Sequence, residues 1–239
     1  MRSLSLVLLF LVASIQVDAR VFDINTEKFA SYFVLTGGSS ALNQAAFLDE
    51  SNVAYSYDKQ VSYNYAGEFG FLFATSAVGL RFGFEVFKPQ LLTEINATNS
   101  GTTVYTLKSE YTGYAPKLGI ELNVHKSPSS RVFLLGYAGT ASVSYKNDYA
   151  DHTEEGKGTK TLYGGSIGYE GFLTDTTTYM FDVGYRELNF DKINYAKDVA
   201  LGIDGQAHTA GTPVLDMNGQ QRTLNFTGVY FGIGFRFYL

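Results

Sequence analysis

The last eleven residues constrain the fold more than any other stretch of the chain. Odd positions from Val229 onward are Val229, Phe231, Ile233, Phe235, Phe237 and Leu239, while the even ones are Tyr230, Gly232, Gly234, Arg236 and Tyr238. Side chains of an extended strand point alternately to opposite faces, so this segment is a strand with one continuously apolar face and one face of glycines and an arginine. The apolar face suits lipid and the other suits a polar lumen, which is the division that a strand in a transmembrane barrel requires.

The same period recurs upstream. Val78, Leu80, Phe82, Phe84 and Val86 alternate with Gly79, Arg81, Gly83 and Glu85, and Leu118, Ile120, Leu122 and Val124 with Lys117, Gly119, Glu121 and Asn123. Tyr179, Phe181, Val183 and Tyr185 oppose Asp182, Gly184 and Arg186, and Tyr63, Tyr65, Phe69, Phe71 and Phe73 oppose Asn64, Glu68 and Gly70. Tyr163, Ile167 and Tyr169 stand opposite Ser166 and Glu170. For the strand near residues 131–145 the pattern places Phe133, Leu135, Tyr137, Val143 and Tyr145 outward, opposite Gly136, Thr140, Ser142 and Ser144. An opening strand over Phe29 to Thr36 has an open phase. About eight strands result.

Link lengths set the topology. Short links fall at 74–77, 126–130 and 173–177, and long polar ones at 37–60, 88–110, 146–160 and 191–223. Outer-membrane barrels have short periplasmic turns and longer extracellular loops, so an even strand number puts both termini on the periplasmic side. A soluble β-sandwich would show the same alternation, but with scattered link lengths and without the exclusion of charge from one face of every strand. The fold expected is an all-β, antiparallel up-and-down transmembrane barrel. Residues 1–19 read as a secretory signal peptide: Arg2, an apolar run from Leu4 to Ile15, and a small-residue cleavage site at Val17-Asp18-Ala19. The barrel domain is then 20–239.

Composition narrows the partners. The chain has no cysteine, so no disulfide framework holds it, and its net charge of −5 offers no basic stripe for nucleic acid. Charges sort to the inner face: Glu68, Arg81, Glu85, Lys117, Glu121, Glu170, Asp182, Arg186 and Arg236 all fall there, while outer strand centres carry none. A barrel of about eight strands has a lumen only wide enough for side chains, so these groups are expected to form an ion-pair network, with Glu85 near Arg81 or Arg236 and Glu121 near Lys117. Lys126 and Arg131 sit beside a short turn, where they are expected to snorkel to the interface. The link 191–223, with Gly202, Gly205, Gly211, Pro213 and Gly219, reads as a loop with at most a short hairpin.

The closing Phe231-Gly-Ile-Gly-Phe-Arg-Phe-Tyr-Leu239 resembles the C-terminal signature of Gram-negative outer-membrane barrels, here ending in Leu instead of the usual Phe. The mature chain resembles the small eight-stranded barrels of the OmpA transmembrane domain, OmpX, OmpW and opacity-protein type. That resemblance implies insertion by the barrel assembly machinery, with Phe231, Ile233, Phe235, Phe237 and Leu239 as the assembly signal. It also implies contact with outer-membrane lipid and lipopolysaccharide, and a monomer whose loops can meet an extracellular partner. No cofactor or metal is expected.

Two motifs carry enzyme readings. His125-Lys126-Ser127 is similar to the His–Ser pair of outer-membrane lipid A deacylases, but it falls at a turn on the periplasmic side, away from lipid A. His152 and His208, with Asp148, Asp151, Glu154, Asp204 and Asp216, match the residue types of outer-membrane aspartyl proteases, though those have more strands and a longer chain. The reading that follows is a non-enzymatic structural and surface-interaction barrel, with a narrow channel for small or hydrophobic solutes as the alternative and a lipid-active enzyme as the second.

Overall fold

The computed structural model describes residues 23–24, 26–39, 56–57, 63–90, 94–149, 152–202, 206–215 and 221–239; the expected signal peptide, 1–19, lies outside them. Strands in chain order are β1 Phe29–Ser39, β2 Ser56–Tyr57, β3 Tyr63–Ala74, β4 Val78–Gln90, β5 Glu94–Asn99, β6 Thr102–Lys126 and β7 Ser130–Tyr149. They continue as β8 His152–Thr174, β9 Thr177–Glu187, β10 Asn189–Phe190, β11 Ile193–Tyr195, β12 Leu224–Asn225 and β13 Gly228–Tyr238. The wall is the closed antiparallel ring β1-β3-β4-β6-β7-β8-β9-β13, sealed where Phe33 of β1 meets Phe235 of β13. Eight strands therefore close on themselves with no edge in the apolar belt.

The belt is what the alternation builds. Phe69, Phe71, Phe82, Leu118, Ile120, Ile167, Val183, Phe231 and Ile233 all point outward, and Phe69 is 56% exposed. Water would not tolerate such a surface around a whole barrel, whereas lipid demands it. Tyr65, Tyr114, Tyr163 and Tyr185 are outward at the long-link ends of their apolar runs, where amphipathic rings sit at headgroup level. At the other end the links are tight: Thr75 Oγ1 donates to the Val78 carbonyl at 2.9 Å and accepts from its N–H at 3.0 Å.

Two of the long polar links are largely strand. β6, β7 and β8 run for 25, 20 and 23 residues, about twice the 9–11 that cross the hydrocarbon. Their upper parts stand clear of the lipid as a sheet joined by β5 on one side and β11 on the other. Polar rows cover its outer face, among them Lys146 paired with Asp148 at 2.7 Å. The Lys146 ammonium, followed by the Thr153 hydroxyl, holds the Asp148 carboxyl below its ordinary range.

β7 has the phase opposite to the one its sequence suggests. Phe133, Leu135, Val143 and Tyr145 are buried inside, Tyr137 packs against them, and Leu134, Gly136 and Ala138 face out. The cause lies on the neighbouring strand. Phe133, Tyr137 and Tyr145 stand directly across from Gly168, Gly164 and Gly156 of β8, and each ring occupies the space a Cβ would take there. The same complement recurs where Tyr32 covers Gly70, Phe87 covers Gly113 and Tyr230 covers Gly184. A narrow lumen accommodates large rings only by lying them flat over glycines, so apolarity alone does not assign a face. Tyr32 and Val34, both buried, also settle the phase of β1.

A side chain at Gly168 would collide with Phe133, whereas one at Gly136 meets open space. Gly168→Val is therefore expected to destabilise the barrel by about 1–3 kcal/mol, and Gly136→Val to leave it within about 0.5 kcal/mol. Urea unfolding in lipid vesicles, followed by the mobility shift of folded protein on unheated gels, checks both.

Candidate functional site: the charged lumen

The lumen holds one continuous file of alternating charges. It runs Arg131, Glu170, Arg236, Glu121, Arg81, Glu68, Lys117, Glu85, Arg186, and every adjacent pair is an ion pair. Arg131 lies 2.7 Å from Glu170, which lies 2.6 Å from Arg236 Nη1; the other amino group of Arg236 meets Glu121. Arg81 then links Glu121 at 3.5 Å to Glu68 at 3.2 Å. Lys117 lies 2.5 Å from both Glu68 and Glu85, and Glu85 ends the file on Arg186 at 2.7 Å. Tyr32 of β1 donates to Glu68 at 2.6 Å, and Tyr238 and Thr178 donate to Glu170 at 2.6 and 2.5 Å. Every wall strand thus contributes a side chain.

An isolated buried charge costs several kcal/mol, and a single pair seldom recovers that cost because lone pairs and N–H groups stay unmet. In the file each carboxylate faces at least two cations, and Arg236 spreads its planar fork over two carboxylates, a geometry that the point charge of a lysine cannot reproduce. The rings seat the cations as well: Arg81 lies 4.2 Å from the centre of Tyr32 and Arg236 5.0 Å from that of Phe133.

The structure places Glu68, Arg81, Glu85, Lys117, Glu121, Glu170, Asp182, Arg186 and Arg236 all on the inner wall. It brings eight of them into the file and leaves Asp182 beside it. Three readings change. Arg131, expected to snorkel at the interface, is 2% exposed and begins the file. Glu85 pairs with Lys117 and Arg186 instead of Arg81 or Arg236. Glu121 pairs with Arg81 and Arg236 instead of Lys117. The sequence did carry a signal for Arg131: it shares its face with Phe133 and Leu135, so the ring-over-glycine pairing that turns those inward turns Arg131 inward too. Phe231, Ile233, Phe235 and Phe237 lie on the outer face of β13, and Leu239, exposed, follows its last residue.

Both ends of the lumen are covered. Ile24, 1% exposed, packs with Ala30, Leu72, Ala74 and Tyr238 at the short-turn end, and its N–H reaches the Pro128 carbonyl at 3.3 Å. At the other end the link 191–223 is not a plain loop. It forms β11 and the antiparallel bridges Asn194–Pro213, Val199–His208 and Leu215–Gln221. Ile193, Tyr195, Val199 and Val214 from this link pack against Phe87, Tyr111, Val143 and Leu162 of the wall. Arg222, 1% exposed, fastens it with an ion pair to Glu154 at 2.8 Å, and Tyr145 donates to the same carboxylate at 2.9 Å.

Among the described residues neither enzyme motif comes together. His125 is exposed, while Ser127 is tied into its turn, its hydroxyl accepting from the Ser130 N–H at 3.0 Å. The His208 ring stacks on Tyr195 at 4.6 Å, Glu154 serves Arg222, and Asp151, Asp204, Asp216 and the side chain of His152 lie outside the described residues. No group of three His, Cys, Asp or Glu able to hold a metal occurs among the described residues.

Arg236→Ala removes the guanidinium that holds Glu121 and Glu170 most closely, leaving only Arg131, at 3.9 and 2.7 Å, to bridge them, and is expected to cost about 3–5 kcal/mol. Arg236→Lys restores the charge but not the fork and should recover only part of that loss. Urea midpoints of the two variants, with Lys126→Ala as the silent control, test the order.

No family model matches the chain, and no curated protein matches it. Among solved structures it is similar to Neisserial surface protein A, with 7% identity and a TM-score of 0.48 over 88% of this chain and 97% of that one. It is also similar to Ail, the attachment invasion locus protein of Yersinia pestis, with 11% identity and a TM-score of 0.45 over 90% and 100%. A third is the outer membrane protease OmpT from Escherichia coli, with 7% identity and a TM-score of 0.47 over 95% and 100%. Likeness at this level names no activity. The closed ring, the apolar belt with its tyrosines and the charged lumen make the chain a small eight-stranded β-barrel whose outer surface suits lipid.

Proposed function

We propose that this protein is a sealed, non-enzymatic outer-membrane barrel whose role is structural and surface-interacting. The observation that supports this is the obstruction of the lumen at three successive levels: the Ile24 floor, the file of charges and the apolar link held by Arg222. In this reading both termini face the periplasm, and the extended parts of β6, β7 and β8 stand on the cell surface. Long strands paired by backbone hydrogen bonds form a stiffer platform than free loops, suited to presenting the remaining link residues to an extracellular partner. Phe231, Ile233, Phe235, Phe237 and Leu239 would be read by the barrel assembly machinery, and the belt would contact lipid and lipopolysaccharide as a monomer.

A narrow channel is the second reading, favoured by a cavity in mid-lumen lined by Arg81, Lys117, Glu85 and Asp182. Conductance of the refolded chain from Arg20 onward in a planar bilayer separates the two. A sealed barrel gives no current, and so does a variant lacking residues 196–212, because the file of charges still closes the bore. Discrete, reproducible steps from the intact chain would overturn the sealed reading, whereas steps only after the deletion would make the link a gate.

A further inference from the structure

The hairpin of β5 and the top of β6 carries a residue pattern that the barrel does not need. Glu94-Ile-Asn96-Ala-Thr98 sets a carboxylate, a carboxamide and a hydroxyl residue at every second position of β5, and an extended backbone puts those three positions on one face. That face is the outer one. Asn96 stands across from Thr106, which shares its side of β6 with exposed Lys108 and Glu110, whereas Tyr111 is buried in the mouth of the barrel. Thr106 lies eight residues from Tyr114 of the tyrosine ring, roughly 27 Å along the strand at about 3.4 Å per residue, so the pattern stands clear of the lipid. On its far side β5 meets only Ser56–Tyr57 among the described residues.

Asn-x-Ser/Thr is the acceptor sequence for an N-linked glycan, a bulky surface modification. Bacterial transferases that read it also take a carboxylate two residues before the Asn. Glu94 supplies one, and neither intervening residue is proline. The second such triplet, Asn225-Phe-Thr227, serves as an internal contrast. There Phe226 is fully buried, Asn225 Oδ1 accepts from the Thr227 N–H at 2.9 Å, and the Thr227 hydroxyl accepts from the Leu188 N–H at 3.0 Å. Thr223 occupies the place of the acid. At Asn96 the Thr106 hydroxyl donates to Oδ1 at 2.8 Å. Attachment of a glycan replaces an N–H at Nδ2 and keeps the carbonyl, so this bond survives in the modified chain.

We propose that Asn96 is an N-glycosylation site whose glycan covers the outer face of the sheet above the lipid. The donor is an oligosaccharide carried on a lipid diphosphate. Nδ2 attacks the anomeric carbon, the N–C bond forms as the C–O bond to the diphosphate breaks, the amide gives up one proton, and the lipid diphosphate leaves. Transfer takes place on the extended chain in the periplasm, before β5 pairs with β6. The inference rests on the surface placement of the sheet proposed above, since a glycan has no place in hydrocarbon, where its hydroxyls would go unpaired.

Peptide mass spectrometry of the full chain, purified from the outer membrane of the organism that makes it, tests this. The expected result is a glycan mass on the peptide holding Asn96 and none on the peptide holding Asn225. The glycan should be lost in Asn96→Gln, Thr98→Ala and Glu94→Gln and kept in Thr98→Ser. Each variant should retain the mobility shift of folded protein on unheated gels, which separates a lost acceptor from a lost fold. An unmodified Asn96 peptide in the native protein, or a glycan that stays on Asn96 in Thr98→Ala, would overturn the proposal. Ser100→Cys at the exposed hairpin turn, labelled on intact cells with a membrane-impermeant maleimide, tells the two readings apart. Labelling without a glycan overturns the site alone and leaves the surface placement standing, whereas absence of labelling overturns both.

Discussion

An eight-stranded barrel closes around a bore no wider than the side chains that line it, and the rest of this structure answers that constraint. Charge is excluded from the lipid face, so the charged side chains of the spanning strands turn inward, where water is too scarce to solvate them. The protein resolves this by alternation. Cation follows carboxylate from Arg131 to Arg186, so each charge is screened by its neighbours instead of by solvent. Because the members come from strands far apart in sequence, the file also ties the wall together across the bore. Arg236 and Glu121 are 115 residues apart, and their contact exists only if the ring has closed in the correct register.

The file leaves no room for bulky side chains to stand upright beside it. Glycine makes the difference: Tyr32, Phe133, Tyr137 and Tyr230 lie flat across Gly70, Gly168, Gly164 and Gly184 on the adjoining strands, filling the wall without crossing the bore. Three of these rings also carry cations of the file on their faces, Tyr32 under Arg81, Tyr137 under Lys117 and Phe133 near Arg236. Packing and electrostatics are therefore one arrangement, and loss of a ring would disturb the charge it seats.

This interdependence explains what could be read from the sequence and what could not. Strict alternation exposes β3, β4, β6, β8, β9 and β13, because along the apolar runs of those strands one face carries every charge and the other carries rings and branched chains. β7 escaped because both its faces are short of charge: its lumenal rings look like lipid-facing rings, and only the glycines of β8 reveal the difference. Arg131 goes with β7 for the same reason: a phase that turns Phe133 and Leu135 outward turns Arg131 outward too, beside a turn where snorkelling is the natural expectation. Ion-pair partners were not legible at all, because Glu85 meets Lys117 and Arg186 through the register of a closed ring, which no local pattern encodes. Residues 191–223 read as loop because glycine and polar residues dominate, while the few apolar residues that anchor the segment are too widely spaced to show a period.

That segment follows from the wall beneath it. Above the file, the inward positions change character to Ala66, Phe87, Tyr111, Ala115, Ala141, Val143 and Leu162. An apolar mouth open to water would forfeit about 25 cal/mol for every Å² left wet, so a barrel lined this way needs something apolar to fill it. Leu188, Phe190, Ile193, Val199, Val214, Leu224 and Phe226 meet that need, and the Arg222–Glu154 pair fixes where the returning chain crosses the rim. The link is thus core on its inner side and surface on its outer side. Its outward residues can differ without disturbing the fold, whereas its inward ones are held by the same packing that holds the wall. A surface built in this way can vary what it presents while the bore beneath it stays closed.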